Sequence, residues 1–321
     1  MKRIALTLAL AGAVCSSQAQ DTPKNIFNHM DLGVTIGTTG LGLDVTMPVG
    51  DMVKLRTGFA VMPRFNYNMD FGVEQFDGEE APSTSSLNRM SEILQGLTGY
   101  KVDQSITMKG KPTYWNFKLL VDVYPFKNNK HWHVTAGFHW GPSKIAEAVN
   151  AIEDSPSLFA LGMYNHIYDV AYKDWVLDIP TPIIETKTTG AVYLDPKIEK
   201  QLIKMGRMGI PLGKYTSDGA SYYMVPDEHS MVSAEAITNS FKPYLGIGYE
   251  GRLIKGNDDY HIGFDAGVMF WGGTPGIYTH DGTNLTKDVE DIGGKVGDYV
   301  KLIKGFKVFP VLELRITRKL F

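Results

Sequence analysis

His131, His133 and His139 occupy odd positions of one short segment, and Ser143 follows four residues after the last of them. Imidazoles at close quarters bind metal. A histidine beside a serine is a base beside a nucleophile, the pairing that acyl-transfer chemistry on a lipid requires. Spacing weighs against both. In an extended chain His133 and His139 stand six residues apart, about 20 Å, too far to share an ion. Gly141-Pro142 separates His139 from Ser143 and interrupts a strand. The expectation is polar filling of an interior, with no catalytic, metal or cofactor site. An enzyme acting on lipid or lipopolysaccharide is the rival reading, and a small-solute channel is a third.

Two further sets carry chemistry by their spacing. Asp44, Lys54, Arg56, Lys118, Asp122, His133, Glu250, Arg252, Asp265, Glu313 and Arg315 fall at alternate positions of otherwise apolar segments. Acids and bases nearly balance, which fits a mutually paired interior network, because an unpaired buried charge is costly. Tyr164, Tyr168, Tyr172 and Trp175 recur at helical spacing. Such a stripe packs against its own domain or, where exposed, forms a candidate surface for recognition.

The elements that must position these residues are strands. Trp115, Phe117, Leu119, Val121 and Val123 alternate with Asn116, Lys118 and Asp122, and Trp132, Val134, Ala136, Phe138 and Trp140 alternate with the three histidines. Side chains of a strand alternate faces. Apolar, aromatic-ended faces opposite charged ones suit a wall between lipid and a polar lumen. Similar alternation marks Leu32–Ile36, Leu41–Val49, Val53–Tyr67, Phe241–Leu253, Tyr260–Trp271 and a last strand from about Lys307 to Phe321. The fold class is therefore all-β: an eight-stranded antiparallel transmembrane barrel with a large, partly helical extracellular insertion. Eight strands leave an interior just wide enough for side chains, so the lumen is expected to be closed. If Lys127–Lys130 is the turn pairing Tyr124 with His131, Asp122 stands directly opposite His133.

The short connections Gly50-Asp51, Lys127–Lys130 and Leu253–Asp259 belong to the periplasmic end, and the long ones to the outside. The longest, 145–240, is too long to lack structure. Within it Ser143–Asp154 reads as the start of a helix, Asp195-Pro196 as a helix N-terminus and Gly209–Met224 as a hairpin turning at Ser217-Asp218-Gly219. Near the end, Val289, Ile292, Val296, Tyr299 and Ile303 keep helical spacing from Thr286.

Met1-Lys2-Arg3, the apolar Ile4–Val14 and Ser17-Gln18-Ala19 read as a signal peptide over 1–19, with the mature chain over 20–321. The only cysteine, Cys15, leaves with it, and Gly12 and Val14 do not make a lipidation site. Loss of Lys2 and Arg3 takes the net charge from −3 to −5. There is no basic stripe for nucleic acid, and no run of 18 apolar residues that would make a membrane helix.

Several stretches resemble a family of small bacterial outer-membrane β-barrel proteins of undefined role. They are Gly37-Thr38-Thr39-Gly40-Leu41-Gly42, the Asp-Val-Tyr-Pro-Phe ending at Phe126, Lys242–Tyr249, Asp265–Gly272 and Phe306–Pro310. Tyr278–Thr283 is most similar to the Bacteroidetes branch. The resemblance covers the barrel strands and carries no catalytic motif. It implies outer-membrane lipid, lipopolysaccharide and the barrel-assembly machinery as partners, with an extracellular ligand unidentified. The final Phe321 shares parity with Arg315 and Thr317, whereas Leu320 shares it with the outward Leu312, Leu314 and Ile316.

Overall fold

The structure is a computed structural model that describes residues 30–79, 84–177, 181–186 and 190–320. The signal peptide, Cys15, the mature start at Gln20 and Phe321 lie outside the described residues.

Eight strands close into an antiparallel barrel: β1 (Asp31–Gly37), β2 (Gly40–Pro48), β3 (Val53–Val61), β4 (Trp115–Val123), β5 (Trp132–Trp140), β6 (Phe241–Ile254), β7 (Asn257–Met269) and β8 (Phe309–Lys319). Each pairs with its neighbours in sequence, and β8 closes on β1 with Asp31 opposite Lys319. Apolar residues hold even positions through Ile36 and odd positions from Leu41, and the change falls in a tight turn in which Gly37 pairs with Gly40. Gly40 takes φ +105 there, a conformation that favours glycine.

The wall is inverted relative to a water-soluble barrel. Val34, Leu43, Trp140, Ile247, Phe264 and Leu312 are exposed on its outside, while Arg56, Lys118, Asp122 and Arg315 are buried within. A continuous apolar belt around a closed, charge-filled cylinder is at home only in lipid. The chain is an integral outer-membrane β-barrel protein. Among the described residues no helix is long and apolar enough to cross a membrane.

Past the rim, β3 breaks around Pro63, and the chain resumes as Tyr67–Gly72 in a second sheet. The candidate strand over Val53–Tyr67, in which Pro63 already signals fraying at the far end, ends at Val61, because proline cannot continue the ladder. The second sheet has the order Tyr67–Gly72, Ser105–Pro112, Lys144–Asn150, Ser233–Ile237, Gly276–Thr279. These segments adjoin β3, β4, β5, β6 and β7 in turn, so the sheet repeats the barrel's strand order above it.

Among the described residues four α-helices and two further sheets complete an extracellular unit: α1 (Thr84–Thr98), α2 (Ser155–Leu177), α3 (Pro196–Met205) and α4 (Gly294–Gly305), with Arg207–Tyr215 paired to Ser221–Met224, Val289–Glu290 and Glu74–Phe76, and Ile184–Thr186 paired to Gly190–Val192. Its core gathers Met90, Leu94 and Ile106, then Leu158, Leu161, Met208 and Ile210, and finally Leu285 and Val300, so every long connection contributes. The cap is thus shared among connections and is not confined to 145–240.

Two local expectations change. Lys144–Asn150 is a strand, and the helix begins only at Ser155. Ile145, Ala148, Val149 and Ile152 fit helical spacing, but pairing with Ser105–Pro112 and Ser233–Ile237 overrides that local preference. Val289 belongs to a strand, and α4 starts five residues later. The expected N-terminus of α3 does form: the Lys197 N–H donates to Asp195 Oδ1 at 2.8 Å, and the hairpin after it is present.

Candidate functional site

The lumen is built from inward residues on every strand. At the periplasmic end Lys54 Nζ lies 2.8 Å from Glu250 Oε1, and Arg315 Nη2 lies 3.2 Å from Glu250 Oε2. In the middle Arg56 bridges two carboxylates, donating to Asp122 Oδ1 at 2.8 Å and to Asp265 Oδ2 at 2.9 Å. His133 Nε2 stands 2.9 Å from Asp265 Oδ1. Towards the outside Lys118 lies 3.0 Å from Asp44 and 2.9 Å from Glu313, whose other oxygen accepts from Thr39 at 2.7 Å. Backbone fit follows the charges. A Cβ on Gly248 would sit 2.3 Å from His133 Nε2, so glycine on β6 leaves the room in which His133 from β5 reaches Asp265 from β7.

Among the charges an apolar cluster of Tyr114, Leu120, Tyr244, Met269 and Val311 fills the lumen, with Leu120 and Tyr244 one rung deeper than Lys118 and Lys242, and Met62, Ile145 and Phe309 packed on it. From the periplasm a recess of about 480 Å³ is lined in part by Tyr124 and by the Lys54–Glu250 pair.

Ten of the eleven candidate lumen residues lie within the barrel wall. Arg252 does not. It is exposed beyond the periplasmic rim and pairs with Asp258, because the β6–β7 ladder shifts register after Arg252. Lys242, which parity also turns inward, is fully buried near the outer mouth, with Nζ 3.4 Å from the Pro142 and Ser240 carbonyls and over the Tyr114 ring. It restores the balance that Arg252 leaves.

Asp122 is not opposite His133. The β4–β5 register pairs Asp122 with Thr135, whose hydroxyl donates to it at 2.7 Å. The turn is longer than Lys127–Lys130, so the register moves by two residues; an even shift keeps both side chains inward. The Tyr124 ring lies tilted against His133 instead, with ring centroids 5.2 Å apart. His139 bonds to Asn116 at 2.7 Å. Ser143 lies past the break, where its carbonyl accepts from the Thr238 N–H.

The aromatic stripe on α2 divides. Tyr164 and Tyr168 are 2% and 3% exposed and pack into the cap core, the first of the two roles expected for the stripe, and so offer no surface for recognition. The Tyr164 hydroxyl donates to the Gly206 carbonyl at 2.7 Å, and burial pushes its pKa up. Tyr172 and Trp175 stay exposed at 49% and 57%.

A second site, unforeseen in the sequence, is an apolar pocket of about 450 Å³ on one face of the five-stranded extracellular sheet. Its floor is small: Gly110, Ala146, Ala148, Ala234 and Ala236 face it in register across three strands. Its walls are Met69, Phe71, Met108, Leu212, Met224 and Ile277, with Val296, Tyr299, Val300 and Ile303 from α4. Residues of opposite parity bear an ion ladder, with Glu147 2.9 Å from Lys111 and 2.6 Å from Lys144. Hydrogen bonds from Lys111 and then Lys144 hold the Glu147 carboxyl below its ordinary range. One polar face and one apolar face with missing side-chain volume is how a sheet makes a pocket. The sequence signal was Ala-x-Ala at 146–148 and 234–236, whose alternation is faint because alanine is barely apolar.

No known protein family and no curated protein matches the chain. Among solved structures it is similar to CarO2 of Acinetobacter baumannii (TM-score 0.38, 11% identity, 91% of this chain and 98% of that one) and to CarO of the same organism (0.38, 12%, 92% and 99%). It is also similar to a major outer membrane protein from Thermus thermophilus (0.28, 11%, 91% and 98%). At such distance nothing of those proteins' roles passes to this chain.

Proposed function

We propose that this protein is a non-conducting, non-catalytic outer-membrane barrel that holds a structured extracellular unit at the cell surface, where it interacts with other molecules. The observation that carries the reading is the lumen itself. Arg56, Arg315, Lys118 and Lys242 are the largest of its fully buried side chains, and Arg56, Arg315 and Lys118 stand in contact with carboxylates. A solute would have to break these pairs, which leaves charges buried and uncompensated, and to displace the apolar cluster packed among them. The barrel's surroundings are outer-membrane lipid and lipopolysaccharide, reached through the assembly machinery. The exposed Tyr172 and Trp175 on α2 are available to an extracellular partner.

The test is electrical. Purified full-length protein in planar bilayers is expected to give no stable conductance between pH 5 and 8. Regular single-channel steps would overturn the reading in favour of a small-solute channel.

A further inference from the structure

The apolar pocket has a deep end and a mouth, and they point in different directions. Met108, Leu212, Met224 and Leu285 are 1–3% exposed. At the other end Phe65 and Tyr67 are 60% and 43% exposed, and Tyr299 is 36% exposed. Phe65 lies four residues beyond Val61, a lipid-facing residue at the outer end of β3, and Ile303 lies six residues before the first residue of β8. The mouth therefore opens at the outer rim of the barrel, beside the membrane surface. The exposed Leu302 and Phe306 (56% and 40%) lie on and just past α4, between that mouth and β8.

The lining specifies the occupant. Thr279 is a hydroxyl-bearing residue of the lining, and its Oγ1 already donates to Asp281 at 2.6 Å. Lys111, Glu147 and Glu235 also border the pocket, but they alternate with the alanine floor and their charged ends are taken up in ion pairs, Lys111 with Glu147 and Lys144 with Glu235. A ligand inside would find hydrocarbon and almost no hydrogen-bond partner, so the part it buries must itself be hydrocarbon. We propose that this pocket takes the acyl chain of an outer-leaflet lipid, entering from the membrane surface between Phe65–Tyr67 and α4. Continuity of the mouth with the lipid-facing belt selects a lipid of the membrane over a solute from the medium. The site is independent of the closed lumen, and a conductance result does not bear on it.

The full chain would be reconstituted in phosphatidylethanolamine–phosphatidylglycerol vesicles containing a phosphatidylethanolamine with a diazirine midway along one acyl chain. After irradiation, mass spectrometry would locate the adducts. The expected result is adducts on deep-end peptides containing Met108, Leu212 or Met224, besides those on the barrel belt. In Ala148→Phe, which fills the floor, deep adducts should fall at least tenfold while belt adducts and the heat-modifiable gel shift persist. Ala234→Leu, directly across the ladder from Ala148, is the smaller change if Ala148→Phe does not fold. A second arm adds diazirine-labelled palmitate from the water to unlabelled vesicles. Deep adducts from palmitate but none from the lipid would overturn the membrane source. Belt adducts alone in both arms, or deep adducts undiminished in the filled variants, would overturn the pocket assignment.

Discussion

Arg56 is wholly buried, and its guanidinium joins Asp122 to Asp265 across the barrel. Removing one partner of such a group costs more than the pair contributes, because the carboxylates left behind are desolvated without compensation. Arg56→Met is expected to lower stability by about 3–5 kcal/mol, read as the guanidinium unfolding midpoint in detergent. Lys54→Met is the control. Its side chain is 25% exposed, and Glu250 keeps Arg315 at 3.2 Å when Lys54 is removed, so the loss should be clearly smaller than for Arg56→Met. Equal losses for the two variants would show that the middle layer is not the anchor. Strand parity was enough to place Asp44, Arg56, Lys118, Asp265 and Arg315 inside the wall. It could not say who meets whom. Parity fixes the face, whereas partners depend on the register and on contacts across the lumen, and neither leaves a trace in local sequence. Asp122 and His133 are the example, since the two-residue shift kept both inward and changed every partner.

Within the cap, two sheets meet at the Asp281 carboxylate, beside a direct 2.8 Å contact between the Tyr222 and Thr279 hydroxyls. Asp281 accepts from the Tyr222 hydroxyl at 2.8 Å, from Thr279 at 2.6 Å and from the Thr283 N–H at 3.0 Å. Tyr222 lies on the strand paired with Arg207–Tyr215, and Thr279 on the edge of the sheet that floors the pocket. Burial pushes the Asp281 carboxyl up, but the hydrogen bonds from Thr279, Thr283 and Tyr222 outweigh it and hold the pKa below the usual value. A carboxylate depressed on folding stabilises above its unfolded pKa of about 3.9 and loses that contribution as pH falls through the folded value. Hydrogen-exchange protection of Ser221–Met224 is therefore expected to be constant near neutrality and to drop below about pH 4. Asp281→Asn should flatten that dependence, and Tyr222→Phe should cost on the order of 1–2 kcal/mol of local stability. Undiminished protection at low pH in the wild type would remove Asp281 as the tie. At this scale the sequence was legible where punctuation is strong, as at Asp195-Pro196 and Ser217-Asp218-Gly219. It misled where Ile145, Ala148 and Val149 satisfied two periods at once, and the tertiary pairing chose the strand.

The barrel is a template as much as an anchor. Sequential pairing of β1 to β8 brings the outer ends of β3, β4, β5, β6 and β7 side by side, and the extracellular sheet takes up the same order. Lys144–Asn150 needs Ser105–Pro112 on one side, and Ser233–Ile237 needs Gly276–Thr279 on the other. The core beneath α2 likewise draws on residues as distant as Met90 and Val300. Closing such long loops is entropically costly unless something already holds their ends, and the closed barrel does so. Two outcomes follow for the whole chain. Expressed in a Gram-negative host, it should fractionate with the outer membrane, and its folded and boiled forms should migrate differently on a gel. Recovery as a soluble periplasmic protein would sink the barrel reading. The stretch 141–240 expressed alone should show no cooperative unfolding transition, although it carries α2, α3 and a complete hairpin, because both of its sheet strands lack their outer neighbours. A sharp thermal transition by near-ultraviolet circular dichroism in that fragment would show instead that the cap is a separate domain set into the barrel, and that the register of β3 to β7 plays no part in building it.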